Sequence, residues 1–284
     1  MSCMVTECFD CVRFTVARGV PYLGTDRKEQ MDVYMPACAD QSLLPCVIVV
    51  PGEGWAAGRR GWDREARIAN KLLAHGYIVM VADIAAVHYS GEVWNEELTI
   101  PGWPTNLFDL KAAVQYARKH APEYGINPGK IGVIAGSTEG HVALLSALTA
   151  NYDGHPDDAA DASVEHGFGV RCIMNLYGIP DLLSWGEGFT GVPYPYSGEK
   201  GEQSVENHAL ESIAAGIPAM FIVHGQANET NSITLSASFA DQLQHIAEVQ
   251  QYVSVDDVEK AGTKASSAFD LRPVMVDFLA AHLK

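Results

Sequence analysis

Six continuous apolar runs constrain the fold of this 284-residue chain more than any other feature of its sequence. They are rich in β-branched residues and cover 45–50, 77–84, 130–136, 170–178, 218–225 and 251–257. Such runs are typical of parallel strands that are covered on both faces. Helical patterns alternate with them at 64–76, 106–125, 141–150, 234–247 and 273–284. This alternation predicts an α/β chain with a mostly parallel, doubly wound sheet.

The length of the chain fits one large α/β domain, so residues 1–284 are predicted to form a single domain. A stretch rich in Gly, Pro and aromatic residues, at about 179–209, lies between two of the apolar runs. Ligands of open α/β sheets bind above the carboxyl ends of the strands, and this stretch would lie there. It is therefore predicted to form a small cap.

The net charge of −16 argues against a nucleic-acid or anionic membrane surface, because both need clustered basic residues. A small-molecule substrate fits better, and a homo-oligomer is compatible with the sequence. The chain has no secretory start and no apolar run of membrane-spanning length, which predicts a cytoplasmic protein. Cys3, Cys8 and Cys11 lie close together without a second pair at metal spacing, so neither a metal nor a cofactor is expected.

The segment IGVIAGSTEGH, at 131–141, combines an apolar run, a turn of small residues and the start of a helix. Ser137 lies in the turn. At a sharp strand-to-helix turn a serine hydroxyl projects outward and can act as a nucleophile. Serine is also a common capping residue at the start of a helix, so both interpretations of Ser137 stay open.

The order of these segments resembles the α/β-hydrolase family, in particular small esterases and lipases of the feruloyl-esterase and hormone-sensitive-lipase kind. The resemblance is strongest over 23–148. YLGTDRKEQMDVYMPA is similar to the opening hairpin of the family, VIVVPGEGWAAG to its oxyanion loop, and the stretch ending in AGSTEGH to its serine-bearing turn. IPAMFIVHG and VEKAG resemble the segments that carry the acid and the histidine of the family. The resemblance implies an α/β-hydrolase fold with Ser137 at the nucleophile position.

Several positions depart from the pattern of the family, and four of them bear on the chemistry. Glu139 replaces the second glycine of Gly-x-Ser-x-Gly, and Glu53 replaces a glycine of the oxyanion loop. Asn228 falls on the position of the catalytic aspartate, and Thr263 on that of the histidine. An amide cannot stabilise an imidazolium, and a serine without a base is a poor nucleophile. The resemblance therefore implies a degenerate triad.

The sequence offers few replacements for the missing groups. Lys264 could act as a base only with a depressed pKa, and Glu229 could replace the acid only after a one-residue shift. His88 follows a strand and could face the cavity or be an ordinary loop residue. His141 and His224 are predicted to be structural.

Aromatic residues are frequent in the predicted loops above the strands. Loop aromatics together with a few polar groups predict an apolar pocket, although the aromatics could instead only fix the cap. The predicted substrate-binding residues are Gly54, Trp55, Thr138, Tyr89, Trp185, Tyr194, Asn228 and Thr263.

The sequence favours a non-hydrolytic enzyme on an α/β-hydrolase scaffold. The expected reaction is that of a cyclase, isomerase or lyase of secondary metabolism acting on an apolar small molecule, with Ser137, Glu139 and Glu53 as catalytic residues. One alternative is a carboxylesterase with a rearranged triad around Ser137. Others are a non-catalytic ligand-binding protein and an inactive partner subunit.

Overall fold

The computed structural model describes residues 4–37, 42–52, 63–85, 105–148, 169–178, 217–225, 232–243, 250–255 and 271–284. Within these ranges nine strands form one sheet. The strands are β1 (Met4–Phe9), β2 (Val12–Val20), β3 (Met31–Pro36), β4 (Leu44–Val50), β5 (Ile78–Ala82), β6 (Ile126–Gly136), β7 (Cys172–Leu176), β8 (Ala219–Gly225) and β9 (Gln250–Val255).

The strands follow one another in the sheet in the order β1-β2-β3-β5-β4-β6-β7-β8-β9. The first three strands and the β3–β5 pair are antiparallel. All pairs from β5 through β4 to β9 are parallel. The carboxyl ends of β4, β6, β7 and β8 therefore meet at one edge of the sheet, where ligands bind in folds of this class.

Six helices lie within the described ranges, and the last of them follows the last strand. They are α1 (Asp63–Ala74), α2 (Thr105–Lys119), α3 (Ala121–Tyr124), α4 (Ser137–Leu148), α5 (Ile233–Leu243) and α6 (Leu271–Leu283). None of these helices has the length and the apolar character needed to span a bilayer.

The helices cover the parallel strands on both faces. On one face, buried residues of α2, α3, α4 and α5 pack against alternate strand residues such as Val133 and Ile222. On the other face, α1 and α6 pack against the intervening positions, among them Ile134 and Phe221. Because each strand is buried from both sides, nearly every residue of β4 to β8 is apolar.

The α/β class and the mostly parallel sheet are confirmed, and each of the six apolar runs contains a strand. The predicted helix at 106–125 is divided, because α2 ends at Lys119 and α3 carries Pro122 in its first turn. Proline has no N–H to continue the hydrogen bonding of a preceding helix. The cap predicted at about 179–209 lies outside the described residues and stays a prediction.

The sequence reasoning missed the β1–β2 hairpin. β1 is an edge strand with mostly exposed residues, and Met4, Val5 and Phe9 are its exposed apolar side chains. A two-residue turn, Asp10 and Cys11, connects it to β2, and both residues have positive φ, 45° and 66°. Positive φ at both central residues is the geometry of a type I′ turn, which matches the twist of a hairpin.

Candidate active site

Ser137 lies at the junction of β6 and α4, at the carboxyl edge of the sheet. Its φ is +56°, a left-handed value that is rare in residues other than glycine, asparagine and aspartate. A capping serine has extended backbone geometry instead. The structure therefore agrees with a strained strand-to-helix turn and argues against the interpretation of Ser137 as a simple cap.

The end of β4 contacts this turn directly. Val50 pairs with Ala135 of β6, and the chain continues through the buried residues Pro51 and Gly52. A methyl group built on Gly52 would overlap the carbonyl oxygen of Gly136. Only glycine permits this approach, which brings the start of the predicted oxyanion loop beside Ser137.

Glu139 is buried in the first turn of α4, with 5 % of its surface exposed. The hydroxyl of Thr138 donates a hydrogen bond of 2.6 Å to its Oε2. The same oxygen would lie 3.2 Å from a methyl group on Gly52. The Glu139 carboxylate therefore lies against the end of β4, where its negative charge would oppose an anion formed on a substrate beside Ser137.

Sequence reasoning missed the residues at the end of β7. Asn175 is buried, and its side-chain oxygen accepts a hydrogen bond of 2.8 Å from the Gly178 N–H. Tyr177 is buried too and has a φ of +48°. The signal in the sequence was one amide within an otherwise apolar strand, because a buried polar side chain needs a hydrogen-bond partner.

A partly buried ion pair fixes the end of β5. Asp109 of α2 accepts hydrogen bonds from Arg27, at 2.7 Å, and from the Ala85 N–H, at 2.8 Å. Burial raises the pKa of Asp109, and the bonds from Arg27 and Ala85 oppose this rise. Arg27 also binds Glu29 at 2.8 Å. The network joins the loop before β3, the helix α2 and the segment after β5, one of the segments at the carboxyl edge.

Two histidines lie near this edge, and both are buried in the interior. His141 is one turn along α4 from Ser137 and is 1 % exposed. His224, near the end of β8, is equally buried, and its Nδ1 lies 2.8 Å from the hydroxyl of Ser236 on α5. These surroundings agree with the structural role predicted for both residues.

Of the residues predicted to form the site, the structure brings together Ser137, Thr138 and Glu139, all at the start of α4. The other predicted site residues and candidate bases lie outside the described residues: Glu53, Gly54, Trp55, His88, Tyr89, Trp185, Tyr194, Asn228, Glu229, Thr263 and Lys264. Their roles, including the degenerate triad, stay predictions.

A truncated form of a carbohydrate esterase from gut microbiota has a similar structure. It matches 98 % of this chain over 99 % of its own length, with a TM-score of 0.75 and 18 % sequence identity. At this identity the likeness concerns the fold. The α/β-hydrolase fold predicted from the sequence is confirmed.

Curated relatives from Mycobacterium tuberculosis are similar in sequence. A probable carboxylic ester hydrolase, LipM, is 23 % identical over 78 % of this chain and 50 % of its own length. Esterase LipC is also 23 % identical, over 84 % of this chain and 57 % of its own length. The chain thus spans about half the length of the curated relatives it matches.

These relatives correct the functional prediction. The preference for a non-hydrolytic cyclase, isomerase or lyase is wrong, because the similar proteins are named esterases and carboxylic ester hydrolases. The prediction equated the loss of family side chains at Asn228 and Thr263 with the loss of ester chemistry. A sequence position reveals which side chain is missing, but not which other group replaces it.

A match to a family model identifies the family of this chain. A family model, BD-FAE, matches residues 31–243, well over half of the chain. The match extends from β3 to the end of α5 and includes the turn at Ser137. The chain belongs to the BD-FAE family of α/β-hydrolase-fold proteins.

Proposed function

We propose that this chain is a carboxylic ester hydrolase with Ser137 as its nucleophile. The observation that carries the proposal is the φ of +56° at Ser137, at the end of a central parallel strand and the start of α4. Backbone strain of this kind persists only where the surrounding packing enforces it, and it clusters at functional sites. The names of the relatives support the same reaction class.

The chemistry is acyl transfer. The Ser137 hydroxyl attacks the ester carbonyl, the alcohol leaves, and water then releases the acid from the acyl-enzyme. The Thr138 backbone N–H follows the nucleophile, so it is the first candidate donor to the oxyanion, and further donors would come from the loop after Gly52.

The base that accepts the Ser137 proton is a separate part of this proposal. Lys264 is the nearby candidate in the sequence, and His88 is a histidine that could face the cavity; both lie outside the described residues. The variants His88→Gln and Lys264→Met test each residue in turn. A variant that stays folded but no longer hydrolyses esters has lost the base, and full turnover in both variants would mean that another group accepts the proton.

Fluorophosphonate labelling tests the nucleophile. We expect stoichiometric labelling that peptide mass spectrometry maps to Ser137, with hydrolysis of short p-nitrophenyl esters. Ser137→Ala should lose both. Ser146→Ala is the matched control. The Ser146 hydroxyl donates a hydrogen bond of 2.8 Å to the Val142 carbonyl of the same helix, more than two helical turns from the strand-to-helix turn at Ser137, here called the elbow. A wild-type protein that binds esters but neither hydrolyses them nor becomes labelled would contradict the proposal and favour the non-catalytic alternative.

A further inference from the structure

The end of β7 and the turn that follows it lie unusually close to the start of α4. A methyl group on Gly140 would lie 2.5 Å from the side-chain oxygen of Asn175 and 2.7 Å from the Cα of Gly178. A methyl group on Gly178 would overlap the same Asn175 oxygen and lie 2.8 Å from the Cα of Gly140. Two glycines from different elements thus face each other around one buried amide.

The backbone after Asn175 is held by two hydrogen bonds. The Gly178 N–H donates to the Asn175 side chain, and the Tyr177 N–H donates to the Val223 carbonyl of β8 at 2.6 Å. Between these bonds Tyr177 has its φ of +48°, which an aromatic residue rarely adopts. The bond to Asn175 closes the turn and sets how near Gly178 approaches α4.

The same segment also contacts the other side of the nucleophile. A methyl group on Gly136, directly before Ser137, would lie 3.1 Å from the Leu176 carbonyl oxygen and 3.4 Å from the ring of Tyr177. Gly136 and Gly140 flank Ser137 in the chain. The end of β7 therefore contacts the elbow both before and after the serine.

We propose that Asn175 is a positioning residue for Ser137, which rests on the proposed role of Ser137 as the nucleophile. Its side-chain oxygen holds the turn at Tyr177 and Gly178 against Gly140, and this contact fixes the start of α4. Without the amide, Gly178 loses its partner and the first turn of α4 gains room to shift. A displacement of about 1 Å in a reacting group can reduce a rate by about 10²-fold.

The test compares Asn175→Ala with Asn175→Ser, whose hydroxyl is a neutral acceptor that can reach the N–H three residues further along the chain. We expect Asn175→Ala to lower the fluorophosphonate labelling rate and kcat for p-nitrophenyl acetate by about 10-fold to 10²-fold, with KM changed less than about threefold. Asn175→Ser should keep more of the labelling rate than Asn175→Ala. If Asn175→Ala does not fold, Asn175→Val takes its place, because valine fills part of the same space and has no oxygen to accept the Gly178 N–H.

Ser146→Ala separates positioning from general destabilisation. It removes a buried hydrogen bond of α4, so it should lower the melting temperature and leave the labelling rate unchanged. A folded Asn175→Ala protein labelled at the wild-type rate would overturn the inference and leave the proposed function standing. An Asn175→Ser protein as slow as Asn175→Ala would also overturn it. A wild-type protein that is not labelled at all would overturn the proposed function and this inference together.

Discussion

The hairpin turn between β1 and β2 and the junctions at the ends of β6 and β7 share an unusual backbone conformation. Among the described residues, four that are not glycine have positive φ: Asp10 and Cys11 in the turn, and Ser137 and Tyr177 at the junctions. In the turn both residues are exposed, and the conformation follows from hairpin twist alone. At the junctions, Tyr177 is 2 % exposed and close backbone contacts surround Ser137.

The comparison shows that a left-handed φ has different causes in the turn and at the junctions. In the exposed turn, a residue that adopts a left-handed φ more readily, such as glycine, fits without disturbing any neighbour. At the carboxyl edge, the conformation occurs among tightly packed buried residues, so a substitution that relieves the strain also removes packing. Four substitutions can break or sharpen this contrast.

The largest effect is expected for Tyr177→Gly. Glycine adopts the φ of +48° without strain, but the substitution removes a fully buried ring from the core between the sheet and α1 and α6. Loss of a large aromatic side chain from a core lowers the free energy of unfolding by about 3–5 kcal/mol, well above the strain relieved. Urea denaturation measures the change. An unfolding free energy equal to that of the wild type would mean that the strain relieved at this position is as large as the packing lost.

A smaller loss is expected for Gly52→Ala. The new methyl group would overlap the Gly136 carbonyl, so β4 and β6 must separate at the elbow, at a cost of about 1–3 kcal/mol. The labelling rate of Ser137 should fall as well. Gly129→Ala is the control, because its methyl group would meet its nearest neighbour, Asn127, at an ordinary 3.5 Å. Equal stability of both variants would mean that the tight contact at Gly52 relaxes freely.

Glu139→Gln is expected to change rate more than stability. The amide oxygen can still accept the Thr138 hydroxyl bond, while the negative charge beside the elbow is removed. Because an anion develops next to Ser137 during ester attack, the labelling rate should rise by about threefold to tenfold. Asp10→Asn removes a charge in the exposed turn and should leave the rate unchanged. A rate that falls in Glu139→Gln would instead favour a proton-transfer role for Glu139.

The smallest effect, and the only stabilising one, is expected for Cys11→Gly. A left-handed φ costs a residue other than glycine about 1–2 kcal/mol, and the entropy that glycine adds to the unfolded chain offsets about 0.5–1 kcal/mol of this. Because glycine suits the second position of a type I′ turn, the substitution should raise the free energy of unfolding by a net of about 0.5–1 kcal/mol. Thermal denaturation detects this as a higher melting temperature. A destabilised Cys11→Gly protein would mean that the cysteine side chain makes a contact that outweighs its strain.

The sequence predicts the parallel strands well because burial on both faces leaves a continuous apolar signal, as in β4 and β8. It misses β1, which is exposed along most of its length, and β2, which mixes exposed and buried residues. The turn at Ser137 can be recognised in the sequence, because a sharp turn requires small residues and those at 135–137 are adjacent in the chain. The contact between Asn175 and Gly140 is not visible, since Gly140 becomes a neighbour of Asn175 only when α4 packs on β7.

The position of β6 in the sheet has a consequence for local unfolding. β6 lies between β4 and β7 in the interior of the sheet, whereas β1 lies at one edge with exposed side chains. Backbone amides of buried central strands exchange with solvent through openings close to global unfolding, and those of edge strands through local fraying. Ser137 is attached to β6, so it should keep its place during openings that release the β1–β2 hairpin. Hydrogen exchange should therefore find the slowest amides of the described strands immediately before Ser137.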